Sequence, residues 1–373
     1  MKLTAKIRRL AQTLPTPFLI MDLKVVEKKY RALAEAFPNS QIFYAIKANA
    51  HPRIITLLNR LGCCFDAASR NEIEKLLSLG VAPEKISFGN TIKRDSDIRA
   101  AFELGVRYFV ADATLEVEKI AECAPKSKVF IRLEMDSGDS DWPLSHKFGT
   151  SKEDAVKLLK LAKKLGLTPF GLSFHVGSQC YNPKRWPVAL EKCHFVFTEL
   201  AQKGIELSMI NLGGGFPIQH LKSIPSLSEI SDEVNHFLGK YFETKPAVFL
   251  EPGRYMVGDA GIMVGSVITK REGSGENWLF IDAGVFHGLM ETIENFRYEV
   301  KTDLDQSEHL AEFHLAGPTC DSIDVIYDTI LLPLPLSQHD KLYFLNTGAY
   351  TVEYNTNFNG FPPPKIYFLD ELD

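Results

Sequence analysis

Between residues 41 and 251, short β-rich runs alternate with amphipathic helical stretches. Eight such runs stand out, at 41–46, 64–67, 86–89, 108–111, 128–133, 171–175, 209–212 and 247–251. Most of the gaps between them hold one helix. Eight strand–helix units in succession predict an α/β fold, a (β/α)8 TIM-like barrel. Some helix ends are legible. Ser69-Arg70-Asn71-Glu72 reads as a capping box, the serine accepting from the third helical N–H and Glu72 reaching back, with Gly80 as the left-handed stop. Thr150-Ser151-Lys152-Glu153 reads as a second box. It precedes a stripe of Ala155, Leu158, Leu159, Ala162 and Leu165 that stops at Gly166. Trp186, Ala189, Leu190, Cys193, Phe197 and Leu200 form another helical stripe, predicted to be core.

Beyond about residue 258 the pattern changes. Runs at 262–269, 278–281, 342–345 and 365–369 are short, broken by Gly, Asn and Pro, and predict a β-rich second domain. The run at 17–22 suits either domain. A length of 373 residues fits two domains. The expected division is a barrel over 24–258, with 1–23 and 259–373 forming a β-sandwich or β-barrel.

Composition narrows the function classes. Apolar residues make up 45% and charged residues 24%, which excludes a disordered chain. The net charge of −5, without a basic block, leaves no electrostatic footprint for nucleic acid. The most apolar stretch, 330–336, contains two prolines and is far too short to span a membrane. The basic N-terminus (Lys2, Lys6, Arg8, Arg9) is followed by no apolar run of signal-peptide length. Six cysteines are dispersed without a CxxC pair, and no HExxH occurs. A cytoplasmic chain with reduced thiols and no structural metal is expected.

Active sites of barrels lie at the C-terminal ends of the strands. The first predicted strand runs into Lys47, which is either a solvated surface amine or a Schiff-base lysine. The sixth ends at His175, followed by Gly177 and Ser178. The seventh ends in Gly213, Gly214 and Gly215, a tight turn or a nest for phosphate. The eighth ends in Glu251, with Arg254 close behind, suited to pairing with phosphate. An amine, a phosphate cradle, a carboxylate, an arginine and a flat imidazole around one opening are the set that pyridoxal 5'-phosphate requires.

Nine blocks in order extend this reading: FYAIKAN (43–49), FDAASRNEI (65–73), KFG (147–149), SFHVGSQC (173–180), LGGGFP (212–217), EPGRY (251–255), GPTCDSID (317–324), GAYT (348–351) and FNGF (358–361). With them the chain resembles the fold-type III PLP-dependent decarboxylases, the ornithine/diaminopimelate/arginine group with the alanine racemase-like fold, and most strongly the ornithine decarboxylases. The resemblance implies that Lys47 carries the cofactor, with Asp66 nearby and His175 stacked on the ring. It implies that Ser178, Gly213, Gly214, Gly215, Arg254 and Tyr350 hold the phosphate, and that Glu251 pairs with the ring nitrogen. Cys320 would return a proton to Cα, and Cys320 and Asp321 would come from the other subunit of a homodimer, with Lys147 and Gly348 near that interface.

The implied activity is α-decarboxylation of a basic L-amino acid. Ornithine, giving putrescine for polyamine synthesis, stands first; a lysine/ornithine or arginine enzyme comes next, then diaminopimelate. A non-catalytic regulatory homologue comes last, because Lys47, His175, Glu251, Arg254 and Cys320 are all present. Asp321, Glu294, Glu291 and Phe358 are the expected substrate-binding residues. The family's ornithine enzymes carry an aspartate near the position of Glu294, so the distal amine meets a longer acid here.

Overall fold

The computed structural model describes residues 1–136, 138–142, 147–273 and 276–372. Two compact units divide the chain: Lys29–Pro217 with Ile224–Tyr255, and Met1–Lys28 with Ile218–Ser223 and Met256–Asp373.

In the first unit, eight parallel strands close a barrel. They are Ser40–Ala45, Cys64–Ala67, Ile86–Phe88, Tyr108–Ala111, Lys128–Arg132, Thr168–Ser173, Met209–Asn211 and Ala247–Leu250, and the last pairs back onto the first. Each coincides, to within a few residues, with an expected run. The helical caps differ in detail. Ser69 does accept from the Glu72 N–H, but Glu72 Oε2 accepts from Ala68 N–H, so the pair is not reciprocal. The cap of helix Lys152–Lys164 is Ser151, accepting from Asp154 N–H, because Thr150 continues an extended bridge with Leu133. A reciprocal box occurs instead at Ser226 and Glu229, opening helix Leu227–Tyr241.

The pleat of the strands layers the barrel interior. Side chains two residues apart on a strand share a face. One layer is an apolar plug of Phe43, Val110, Phe130, Met209 and Phe249, with Cys64, Tyr108 and Phe170 packed against it. Phe43 and Phe249 have ring centroids 4.6 Å apart. Two residues further along their strands or just past them stand Asp66, Arg132, Asn211 and Glu251. Apolar burial of the plug thus fixes a polar layer at the C-terminal mouth.

The second unit is built on strand Gly261–Gly273. Its first half pairs antiparallel with Phe18–Met21 and Lys341–Leu345. After an irregularity between Val267 and Thr269, its second half pairs with Glu276–Ile281. Such a break lets one strand serve two groups of strands. Phe18–Met21 also pairs in parallel with Lys365–Phe368. Three strands lie outside the expected runs: Val300–Thr302, Leu310–Ala316 and Val325–Pro333. Residues 218–223, expected within the barrel, cluster with this unit, where His220 meets Phe296 edge-on at 4.7 Å and Asn346 Nδ2 donates to Gln219 O at 2.7 Å. All six cysteines are free thiols. Among the described residues no helix is long and apolar enough to cross a membrane, and no group of three His, Cys, Asp or Glu is placed to hold a metal.

One buried ion pair tests the barrel's tolerance for charge. The Lys93 ammonium has no exposed surface and lies 3.0 Å from Glu116, whose other oxygen meets Lys119 at 2.7 Å. It also donates to Val110 O at 2.7 Å and Asn90 O at 2.8 Å. Burial pushes the amine down to about 8, against the pull of Glu116. Truncating one partner of a buried pair costs about 3–5 kcal/mol. Glu116→Ala is therefore expected to lower the urea midpoint strongly, and Glu116→Gln by less; an unchanged midpoint would contradict this account.

Candidate active site

Lys47 stands in the single 3-10 turn Ile46–Ala48 that directly follows strand Ser40–Ala45. Its neighbours Ile46 and Ala48 are buried while its own side chain is exposed at the mouth. Asp66 lies opposite Ala45 in the adjoining strand and is 5% exposed. One of its carboxylate oxygens is buried without a hydrogen-bond partner among the described residues. Glu251 follows strand Ala247–Leu250, and its Oε1 accepts from Asn211 Nδ2 at 2.5 Å.

Electrostatics ties these groups together. Burial raises the Asp66 carboxyl well above the usual range, and the Glu251 charge raises it further; Lys47 and Arg132 oppose both. Burial also raises Glu251, while Asn211, Lys47 and Arg132 pull it down. His175 responds in the other direction. Burial first, then the charges of Arg132 and Lys47, hold the imidazole well below its ordinary value. Its Nδ1 accepts from Gly177 N–H at 3.0 Å, which orients the neutral ring.

The glycine loop is shaped for close approach. Gly213 and Gly215 have φ of +66° and +91°, the left-handed region that favours glycine. A Cβ on Gly213 would overlap the Phe174 carbonyl, and one on Gly214 would lie 3.1 Å from His175 Nε2. Ser178 opens strand Ser178–Cys180, and buried Arg254 opens helix Arg254–Val257. A backbone cradle, a buried arginine, an amine and a buried carboxyl form a donor set that fits the phosphate, aldehyde and ring nitrogen of pyridoxal phosphate.

Two members of this layer, Arg132 and Asn211, were not among the expected residues. The expected strands ran one residue past each, to 133 and 212, and so hid them inside the sheet. The strand-end rule that selects Lys47 would have found both had the strands been closed one residue earlier.

The other expected residues lie in the second unit. Cys320 is exposed, and its N–H and Sγ both donate to Asn359 Oδ1, at 3.0 and 3.2 Å. Asp321 is exposed and accepts from Ile323 N–H at 3.0 Å. Phe358, 39% exposed, stacks on Phe286 at 4.6 Å. Tyr350 has φ of +55° and its ring faces Tyr354 at 6.4 Å. Gly348 is held where a Cβ would overlap the Val257 carbonyl. Lys147, in the first unit, lies over the ring of Phe148 at 5.1 Å. Glu294 is exposed at the end of the turn Met290–Glu294. Glu291 is buried, and its carboxylate accepts from the Tyr298 hydroxyl at 2.9 Å.

The lowered His175 value sets a pH dependence. Below about 6.5 the unfolded chain takes up an imidazole proton that the folded chain refuses. The stability this residue contributes is complete above that value and is lost as pH falls toward the lower folded value, by at most about 1.4 kcal/mol per unit. Urea unfolding of protein free of pyridoxal phosphate is expected to show a shallower acid decline in His175→Asn than in the parent. Parallel declines would show that this imidazole does not titrate on unfolding.

Known proteins resemble this chain over nearly its whole length. The family described as "Pyridoxal-dependent decarboxylase, pyridoxal binding domain" matches residues 23–258. A lysine/ornithine decarboxylase of Selenomonas ruminantium is 34% identical over 98% of this chain and 93% of its own. An ornithine decarboxylase of Schizosaccharomyces pombe is 33% identical over 95% of this chain and 83% of its own. The crystal structure of a lysine/ornithine decarboxylase from Vibrio vulnificus, complexed with cadaverine, superposes with a TM-score of 0.91 at 33% identity, covering 99% of this chain and 100% of that one. The chain belongs to the pyridoxal-dependent decarboxylases, and the expected (β/α)8 barrel with its β-rich second domain is the fold on which that chemistry is carried.

Proposed function

We propose that this enzyme decarboxylates L-ornithine to putrescine and CO2, with L-lysine as the competing substrate. The observation that carries the reading is the polar layer at the barrel mouth: Lys47, Asp66, Arg132, His175 and Glu251 within electrostatic reach of one another beside a glycine cradle. When bound, pyridoxal phosphate supplies the electron-poor ring that accepts the electron pair released as the carboxylate leaves. Lys47 provides the anchoring amine. Glu251, aligned by Asn211, holds the proton on the ring nitrogen. Gly213, Gly214, Gly215, Ser178, Arg254 and Tyr350 hold the phosphate. His175, neutral and oriented by Gly177, offers its flat face to the ring.

Cys320 returns the proton to Cα, its thiol directed by Asn359. Asp321 and Glu294 meet the distal ammonium, and Phe358 packs on the methylene stem. Cys320 and Asp321 come from a second copy of the chain, so the working form is a homodimer. Glu291 is left out, because Tyr298 holds it inside its own unit. The cadaverine and lysine/ornithine names of the relatives favour lysine as the second substrate. Six free thiols suit a reducing cytoplasm.

The test is CO2 release from cofactor-saturated protein offered L-ornithine, L-lysine, L-arginine, meso-diaminopimelate and L-2,4-diaminobutyrate separately. The highest kcat/KM is expected for ornithine, then lysine; preference for arginine or diaminopimelate would overturn the substrate. Lys47→Ala is expected to lose both turnover and the visible absorbance of the loaded protein. Glu251→Ala is expected to lose kcat by roughly 10²-fold or more, since it removes charge stabilisation at the reacting group. Near-normal turnover in either variant would sink the assigned role.

A further inference from the structure

The buried Arg254 guanidinium lies over an indole ring. Arg254 is 4% exposed, and its Cζ lies 4.4 Å from the centroid of the Trp142 indole. The tryptophan comes from an excursion of the chain. After strand Lys128–Arg132 the backbone leaves the barrel and forms a two-stranded ribbon, in which Ser140–Trp142 pairs antiparallel with Ser178–Cys180. Trp142 stands opposite Ser178 in that ribbon. Polar bonds peg it in place. Arg185 Nε meets Asp139 Oδ2 at 2.6 Å, Asn182 Nδ2 donates to the same oxygen at 3.0 Å, and Tyr181 N–H donates to Asp139 O at 3.0 Å. The Tyr181 hydroxyl donates to the Asp141 carboxylate. One register therefore joins the residue that covers Arg254 to Ser178.

A guanidinium is planar, and its donors point outward in the plane. An aromatic ring packed against it excludes water from that side and restricts its movement. Arginine recognises carboxylate and phosphate through those donors, often with two parallel bonds. The cation–π attraction grows when the pair is desolvated, as a buried guanidinium is.

We propose that Trp142 is a positioning residue for the cofactor phosphate, holding the Arg254 guanidinium in place to meet it. The ribbon Ser140–Trp142/Ser178–Cys180 is thereby a clamp on the phosphate end of the site. The inference rests on the reading of Arg254 as a phosphate residue.

Its test separates the phosphate from the rest of the cofactor. Pyridoxal phosphate, and pyridoxal lacking the phosphate, are titrated into cofactor-depleted full-length protein and binding is read by visible absorbance. Trp142→Ala is expected to raise the Kd for pyridoxal phosphate roughly tenfold and Trp142→Phe by about twofold or less, since a phenyl face still attracts the cation. Pyridoxal binding is expected to be unchanged in both. Arg254→Ala is expected to weaken pyridoxal phosphate and spare pyridoxal. Trp142→Leu keeps bulk without a π face and carries the comparison should the alanine variant fail to fold. Equal weakening of both ligands by Trp142→Ala would overturn the proposal, reducing the tryptophan to ribbon support. An unchanged Kd in the tryptophan variants beside a weakened Arg254→Ala would overturn it while leaving Arg254 in its role. An unchanged Kd in Arg254→Ala would overturn the role of Arg254 and this inference with it.

Discussion

The pleat of the barrel strands is the constraint on which the site depends. It places Phe43, Phe130, Met209 and Phe249 in one interior layer, and the same periodicity then aims Arg132, Asn211 and Glu251 into the next. Asp66 and Glu251 are carboxyls that burial would drive to neutrality. Lys47 and Arg132 oppose that drive, and the same two cations add to the burial that holds His175 below its ordinary value. The layer works as one electrostatic unit: a cation that stabilises a carboxylate also repels a proton from the imidazole. The same cations thus pull the carboxyl beside the ring nitrogen toward its charged form and push the stacking imidazole toward its neutral one.

Backbone geometry does the complementary work. The loop Gly213–Gly215 passes close to the Phe174 and Gly177 carbonyls and to His175, leaving no room for side chains. An anion cradled there would meet N–H groups rather than methyl groups. Arg254 and Ser178 belong to the same unit, one on a short helix and one on a ribbon outside the barrel. The second unit has its own organised corner, in which the Cys320 thiol is directed by Asn359 and Phe358 is held on Phe286.

Much of this is legible in the sequence. Eight β-rich runs separated by helical stripes leave few alternatives to a barrel, and the strand-end rule then selects Lys47, His175, Gly213–Gly215 and Glu251. The same rule missed Arg132 and Asn211 because a boundary misplaced by one residue turns a mouth residue into a strand residue. Leu310–Ala316 and Val325–Pro333 were missed for a different reason. They pair with each other, and the first also pairs in parallel with Glu276–Ile281, so their stability comes from partners distant in the chain.

Glu291 and Glu294 mark the limit of local information. Three residues apart in one acidic segment, they look interchangeable, yet Tyr298 binds the first inside its unit while the second stays in solvent. Trp142 carries no local signal for its place on Arg254, which requires the antiparallel register with Ser178–Cys180. The sequence by itself determined the order of elements, the barrel and the chemical types at the strand ends, because period and punctuation are local properties of a chain. Only the tertiary structure decided which of those groups share one field, which acid is buried and which ring lies against the arginine, because burial and charge coupling act between residues that meet in space.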